Sequence, residues 1–418
     1  MGSKSTSPFA IRTATPERLR EFLRPLEPAF AEEYPADEFE ADRHLFEADR
    51  IIGAFDGEGA VGCAGAYSAR LSVPGGEVAA AAVTLVAVLP THRRRGILRA
   101  LMDHQLGDVH ERGEPVAILW ASEGAIYQRF GYGLATYSTT FEIDPRRSAF
   151  LRPVPPIGRV RFLSADEALT VVPSIYERSR AGIPGALARS EAWWRWAGLR
   201  DSAAPRQESG PKWIVVLEVD GVAVGYAIYR AKAGWDDRGP DGRLTVLEVM
   251  ADDAAAERQL WRWLLDVDLV GRLKAFRQPL TPPLVLMLAE PRRLGLTVGD
   301  GLWLRLVDLP VALAARGYGA AGSLVLEVAD DACAWNAGRW RLQVVPKNGP
   351  DSNGAVERTD AAPDLVLDVA DLGAAYLGGV RFAELAAAGR SEERTAGALA
   401  LADRMFASGR SPWCSTMF

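Results

Sequence analysis

Two Asp-Gly dipeptides, Asp56-Gly57 and Asp220-Gly221, each join a pair of apolar runs, and each pair is followed by a further apolar run and an amphipathic segment. Asp-Gly tolerates the positive φ of a tight turn, so each dipeptide predicts an antiparallel hairpin. The first hairpin takes residues 51–55 and 61–66, with a strand at 83–88 and a helix after Gly96. The second takes 215–219 and 222–229, with a strand at 245–250 and a helix over 252–265. This recurrence predicts two tandem sheet-and-helix units, the second a degenerate duplicate of the first.

Between them, Arg152-Pro153-Val154-Pro155-Pro156 stops both helix and ladder and is expected to be a linker. From Gly301 the pattern changes: an apolar run at 302–306, a helix near 311–316, strands near 323–328 and 340–345, and helices near Phe382 and over 395–406. The expected architecture is α/β (α+β), with units at 1–152, 153–300 and 301–418. A length of 418 residues suits three such units.

Hydrophobic residues make up 48% of the chain and charged residues 24%, the range of an ordinary soluble globular protein rather than a disordered or membrane-embedded one. A net charge of −6 gives no general attraction to nucleic acid or anionic lipid, so neither is expected as a partner. Cys63, Cys333 and Cys414 lack CxxC spacing, so no metal site or disulfide framework is expected, and a cytoplasmic location fits.

The segment over 83–102 carries the clearest chemistry. An apolar strand ends at Pro90, Arg93-Arg94-Arg95-Gly96 follows, and Ile97, Leu98, Leu101 and Met102 then fall on one side of a helix. Unsatisfied N–H groups at a helix mouth, the positive dipole end and arginine side chains together suit a pyrophosphate, and Gly96 permits close approach. Backbone groups of Val86, Ala87 and Val88 suit an extended amide arm, added as a strand is added to a sheet edge. Coenzyme A has both parts. In the second copy the equivalent turn is Ala251-Asp252-Asp253, whose carboxylates repel a pyrophosphate, so that copy is expected to lack a nucleotide site.

The strand, turn and helix resemble the GNAT acetyltransferase signature, with Leu98 where that pattern has Gly or Ala. Across nearly the whole chain, the run from Val86 to Gly96, the run from Ala121 to Gly133, the Gly301-Leu302-Trp303-Leu304-Arg305 run and the terminal Phe418 resemble the enhanced intracellular survival (Eis) family of bacterial GNAT acetyltransferases. The resemblance implies two fused GNAT-like domains, a sterol-carrier-protein-like C-terminal domain, a homohexamer, and acetylation of several amines of aminoglycosides. It also implies Tyr127 as general acid and the Phe418 carboxylate as general base. The expected cofactor contacts are Val86, Ala87, Val88, Arg93, Arg94, Arg95, Gly96, Ile97, Leu98, Arg99, Ser122 and Glu123, with acetyl-CoA as co-substrate.

A phenol is protonated at neutral pH and can donate to a departing thiolate, an effect of about 10²–10⁴ in rate. The carboxylate is a weak base toward an ordinary ammonium but a competent acceptor from the acidic ammonium formed on attack at a thioester. Glu32 and Glu33, in an acidic stretch, are candidates to hold further ammonium groups of a small amine substrate. Met417 stands where the family often has an acidic residue. Two other readings stay open: an acetyl-CoA sensor or apolar-ligand carrier without catalysis, and an acetyltransferase for protein lysines or metabolites. Gly317-Tyr318-Gly319-Ala320-Ala321-Gly322 spells GxGxxG, but a helix precedes it and a strand follows, the reverse of a dinucleotide site.

Overall fold

A computed structural model describes residues 9–57, 59–237, 239–345 and 352–418. The chain forms two compact units. The first comprises the chain up to Thr136 with Leu302–Gly409 and Met417–Phe418, and the second comprises Tyr137–Gly301 with Arg410–Thr416.

In the first unit, β1 (Ala10–Thr13), β2 (Ile52–Asp56), β3 (Gly59–Val73), β4 (Gly76–Val88) and β5 (Val116–Trp120) lie side by side, followed by Leu302–Leu306 and Gly133–Leu134. Strands β1 to β4 are antiparallel neighbours, whereas β4 and β5 are parallel. A parallel pair needs a crossover, which the helix Ile97–Glu111 supplies. Its Leu101, Met102, Leu106 and Val109 are buried in the core. Strands β3 and β4 are longer than the apolar runs at 61–66 and 83–88. The extension includes Ala79-Ala80-Ala81-Ala82, a helix-favouring run by propensity alone, which pairing with β3 holds extended. The first helix opens at Leu19 and gives way at Pro25 to a second, Leu26–Phe30.

The rest of the first unit is a six-stranded sheet in the order Gly317–Tyr318, Ser352–Arg358, Gly338–Val344, Gly322–Ala329, Leu365–Asp368 and Ser391–Glu393, with helices that include Val369–Ala375 and Ala398–Phe406. Helix Val369–Ala375 packs on Leu302–Leu306 and on Gly133–Leu134. Backbone meets backbone there: a Cβ at Gly133 would run into the Ala370 carbonyl.

The second unit has its own seven-stranded sheet, in the order Thr297–Asp300, Tyr137–Ile143, Val270–Gln278, Gly242–Ala251, Val222–Lys232, Lys212–Val219 and Arg159–Phe162. Two apolar clusters build its core, one around Trp261 and Leu264 and the other around Tyr176, Trp194 and Trp413.

Two expected boundaries are corrected. The break placed at 152 falls after Thr136, because Tyr137–Ile143 pairs with Val270–Gln278 and Thr297–Asp300 and buries Phe141 and Ile143 in the second core. The prolines that suggested a linker lie within the second unit. The run at 302–306, assigned to the third unit, is a strand of the first sheet, held between β5 and Gly133–Leu134.

Candidate active site

Strand β4 pairs with β5 only from Ala80 to Val83, yet it continues to Val88 against β3. Past Val83 its β5 side is therefore an open edge among the described residues. A bulge marks the parting: Cys63 faces Ala87 and Gly65 faces Thr84, so Leu85 and Val86 together oppose Ala64 alone. Leu85 adopts φ 57°, a left-handed conformation costly for a branched side chain. Its carbonyl accepts from the Cys63 thiol at 3.2 Å. Val86, the second bulge residue, and Ala87 and Val88 after it lie on a stretch of backbone that β5 no longer pairs.

The strand runs into a single turn at Pro90–His92 and then the arginines. Arg94 and Gly96 both have positive φ, 64° and 81°, and Gly96 sits at the N-cap position of helix Ile97–Glu111. No side chain caps that helix, so the first-turn N–H groups of Ile97, Leu98 and Arg99 point out of its mouth. Arg93, Arg94, Arg95 and Gly96 are exposed, and Arg93 Nη2 reaches the Ala29 carbonyl at 3.5 Å. The side chain of Ile97 is buried in the core, so only its backbone can serve a ligand. An open strand edge leading to an uncapped, arginine-flanked helix mouth can take an extended chain with an anionic head.

Tyr127 ends the short helix Gly124–Tyr127 and is 8% exposed. It shares one apolar cluster with Val83, Met102 and Tyr132, and Val86 and Leu98 pack against the same cluster. The open part of β4, the first helical turn and Tyr127 thus converge. Burial, with a smaller contribution from the Glu123 carboxylate, pushes the Tyr127 phenol up to about 12. Ser122 and Glu123 are exposed just before that helix. Tyr132, edge-on to Tyr127 at 6.0 Å between ring centroids, is fully buried and belongs to the packing.

The loop of Tyr127 is backed by a buried cation that the sequence reading missed. Arg305 Nη2 pairs with Asp330 at 2.6 Å, both side chains being essentially inaccessible. Asp330 also accepts from the backbone N–H groups of Ala332 and Cys333 and from Asn336 Nδ2. Gly131 lies directly on the Arg305 guanidinium, where a Cβ would collide with Nη1.

Glu32 and Glu33 are exposed in the loop after helix Leu26–Phe30, which itself packs on β4. Their neighbours Glu27 and Asp42 are engaged by Tyr34, through its N–H at 3.0 Å and its hydroxyl at 2.8 Å. Phe418 is half-buried, Met417 is 48% exposed, and both group with the first unit after the tail leaves the second at Thr416.

In the second unit the equivalent turn has no vacancy. Asp253 caps helix Ala254–Leu265, accepting from the N–H groups of Ala255 and Ala256 at 2.8 Å each, and Asp252 pairs with Arg178 at 2.8 Å. The donors that would hold a pyrophosphate are already consumed by carboxylate.

Acetyltransferase (GNAT) domain models match residues 10–135 and 185–306, and a sterol carrier protein domain model matches residues 309–415. An uncharacterized N-acetyltransferase of Streptomyces avermitilis is 44% identical over 382 residues, 90% of this chain and 91% of that one. N-acetyltransferase Eis of Mycobacterium bovis is 37% identical over 379 residues, 88% of this chain and 89% of that one. Among solved structures, Eis1 of Mycobacterium abscessus superposes with a TM-score of 0.82 at 36% identity, covering 98% of this chain and 100% of that one.

Proposed function

The chain belongs to the Eis family of GNAT N-acetyltransferases, and we propose that it draws its acetyl group from acetyl-CoA bound along the open edge of β4 and the arginine turn. The observation that carries this reading is the parting of β4 from β5 after Val83, directly before an uncapped helix mouth. Backbone groups of Val86, Ala87 and Val88 take the amide arm. The N–H groups of Ile97, Leu98 and Arg99, with Arg93, Arg94, Arg95 and Gly96, take the pyrophosphate, and Ser122 and Glu123 border the acetyl end.

Transfer then proceeds by attack of a neutral amine nitrogen on the thioester carbonyl carbon. A backbone N–H of 86–88 holds the oxyanion. The C–S bond breaks as the Tyr127 hydroxyl donates to the departing sulfur. The Phe418 carboxylate receives the proton that the nitrogen sheds. Because the phenol is pushed up to about 12, it is a weaker acid than an ordinary thiol near ~8.5. Tyr127 therefore acts chiefly as a hydrogen-bond donor to the thiolate, and full proton transfer follows by exchange with solvent.

The acceptor is a small amine, with Glu32 and Glu33 available to further ammonium groups. Aminoglycosides as acceptors, and a homohexameric assembly, rest on the family resemblance. A cytoplasmic location suits three buried free thiols, and no helix among the described residues is long and apolar enough to cross a membrane. Hydrogen exchange with and without acetyl-CoA tests the binding site. Protection of amides at 86–88 and 94–99 is expected; protection confined to other segments contradicts the assignment.

A further inference from the structure

The strand Leu302–Leu306 pins both ends of the segment that carries Tyr127. On one side it pairs with β5, which leads into that segment, from Leu302 with Trp120 to Leu306 with Val116. On the other it pairs with Gly133–Leu134, which leaves the segment, Leu304 facing Gly133 and Trp303 facing Leu134. Just beyond, the Leu302 carbonyl accepts from the N–H groups of Ala135 and Thr136 at 3.0 and 3.1 Å. Thr136 Oγ1 accepts from the Leu302 N–H at 2.7 Å.

Between those ends the segment rests on two side chains of the same strand. Trp303 and Arg305 are two residues apart and so share a face. A Cβ on Gly124 would come within 2.7 Å of the Trp303 ring, and one on Gly131 would run into Arg305 Nη1. Glycine at both places lets the backbone settle directly onto the strand's side chains. Gly124 opens the short helix that ends at Tyr127, and Gly131 closes the turn after it, so Tyr127 stands between the two contacts. Within the turn the Gly131 N–H donates to the Gln128 carbonyl at 2.9 Å and the Tyr132 N–H to the Tyr127 carbonyl at 3.3 Å. A shift at Gly131 is thereby passed to Tyr127.

Arg305 is itself held by the loop after the strand Gly322–Ala329. Asp330 Oδ2 takes Nη2 at 2.6 Å and also accepts from Asn336 Nδ2 at 3.1 Å. Asn336 Nδ2 donates further to the Leu306 and Val307 carbonyls at 3.1 Å each, which ties that loop to the end of the strand whose arginine it holds. Nη1 meets no hydrogen-bond acceptor among the described residues, so its contact with Gly131 is one of packing. All these residues belong to the first unit, and Asp330 and Asn336 fall in the stretch matched by the sterol carrier protein domain.

We infer that Trp303 and Arg305 position the Tyr127 hydroxyl for acetyl transfer, and that the C-terminal domain contributes to this step through Asp330, which fixes the Arg305 guanidinium. The inference rests on the reading of Tyr127 as donor to the departing sulfur. A buried ion pair contributes little net stability relative to apolar packing, whereas the fixed direction of its donors supplies placement. Trp303, Arg305 and Asp330 are positioning residues.

The test is a double-mutant cycle in kcat, followed by thiol release with the fastest amine of a panel of aminoglycosides, polyamines and lysine peptides. Arg305→Met keeps the apolar stem and removes the guanidinium beneath Gly131. Its kcat should fall about 10-fold while the KM for acetyl-CoA is unchanged, the mark of a misplaced catalytic group. In the Tyr127→Phe chain the same substitution should change kcat less than about 2-fold, because no hydroxyl is left to place. Should Arg305→Met fail to fold, Trp303→Phe, which draws the ring from beneath Gly124 and disturbs no charge, runs the same cycle, with a fall of about 3-fold or more expected. A folded Arg305→Met with parental kcat, or equal falls in the two backgrounds, overturns the placement and leaves the tyrosine reading standing. If Tyr127→Phe itself keeps the parental kcat, or the parental chain acetylates no amine of the panel, the tyrosine reading falls and the inference with it.

Discussion

Replacing Tyr127 by Phe removes one oxygen from a residue that is 8% exposed and leaves its ring in the cluster with Val83, Met102 and Tyr132. The hydroxyl makes no hydrogen bond among the described residues, so stability should move by less than ~0.5 kcal/mol. The effect on turnover is larger. A phenol near 12 does not transfer its proton outright to a sulfur of lower pKa, so the loss is that of a hydrogen bond to a charged leaving group, about 1.5–3 kcal/mol. That corresponds to a fall in kcat of about 10- to 150-fold, at or below the lower end of full general-acid catalysis. Steady-state kinetics by thiol release, beside calorimetric titration of acetyl-CoA, would separate the two quantities. The prediction is a reduced kcat with an unchanged dissociation constant. Because burial raises the phenol, activity of the parental chain should also show no alkaline decline up to about pH 10, where an ordinary tyrosine would already be half ionised. An unchanged kcat in Tyr127→Phe, or an alkaline limb near pH 8 that Tyr127→Phe abolishes, would refute the reasoning.

Two further outcomes follow from geometry. At Gly96 a Cβ would meet nothing within 4 Å, so Gly96→Ala should cost only the left-handed backbone penalty, about 1–2 kcal/mol in a urea titration, while the acetyl-CoA dissociation constant rises at least about 10-fold. In the Arg305–Asp330 pair the two deletions should be unequal: Asp330→Ala isolates a fully buried cation and should cost about 3–5 kcal/mol. Arg305→Met leaves Asp330 with the N–H groups of Ala332, Cys333 and Asn336 and should cost about 1.5–3 kcal/mol. Equal losses in urea titrations of the two variants would contradict this assignment of partners.

Local chemistry was legible in the sequence. The Asp-Gly hairpins, the arginine turn and the acidic replacement turn at Asp252-Asp253 each depend on a few adjacent residues, and each has its predicted surroundings. Non-local pairing was not. Nothing in Leu302-Trp303-Leu304-Arg305-Leu306 says that it enters the first sheet beside β5, almost two hundred residues back along the chain, and nothing before the prolines at 153–156 says that Tyr137–Ile143 has already joined the second. The buried charge at Arg305 is not legible from residue type, because a charged residue in a strand usually faces solvent. A usable signal did exist: Arg305 interrupts an apolar strand that is buried along its whole length, and a charge in that position needs a dedicated partner. Phe418 carries no such signal, since a terminal residue looks the same whether it is held or frayed.

The central claim, that this chain moves an acetyl group from acetyl-CoA to an amine, is tested most directly by incubating it with acetyl-CoA and a panel of amines: aminoglycosides, polyamines, lysine peptides and amino-sugar metabolites. Release of free thiol and the mass of the amine are then followed together. Thiol release matched one for one by an acetylated amine is expected for at least one member of the panel, and is expected to be lost on appending residues after Phe418. Acetyl-CoA binding with no thiol release for any amine would contradict it and leave a sensor in its place.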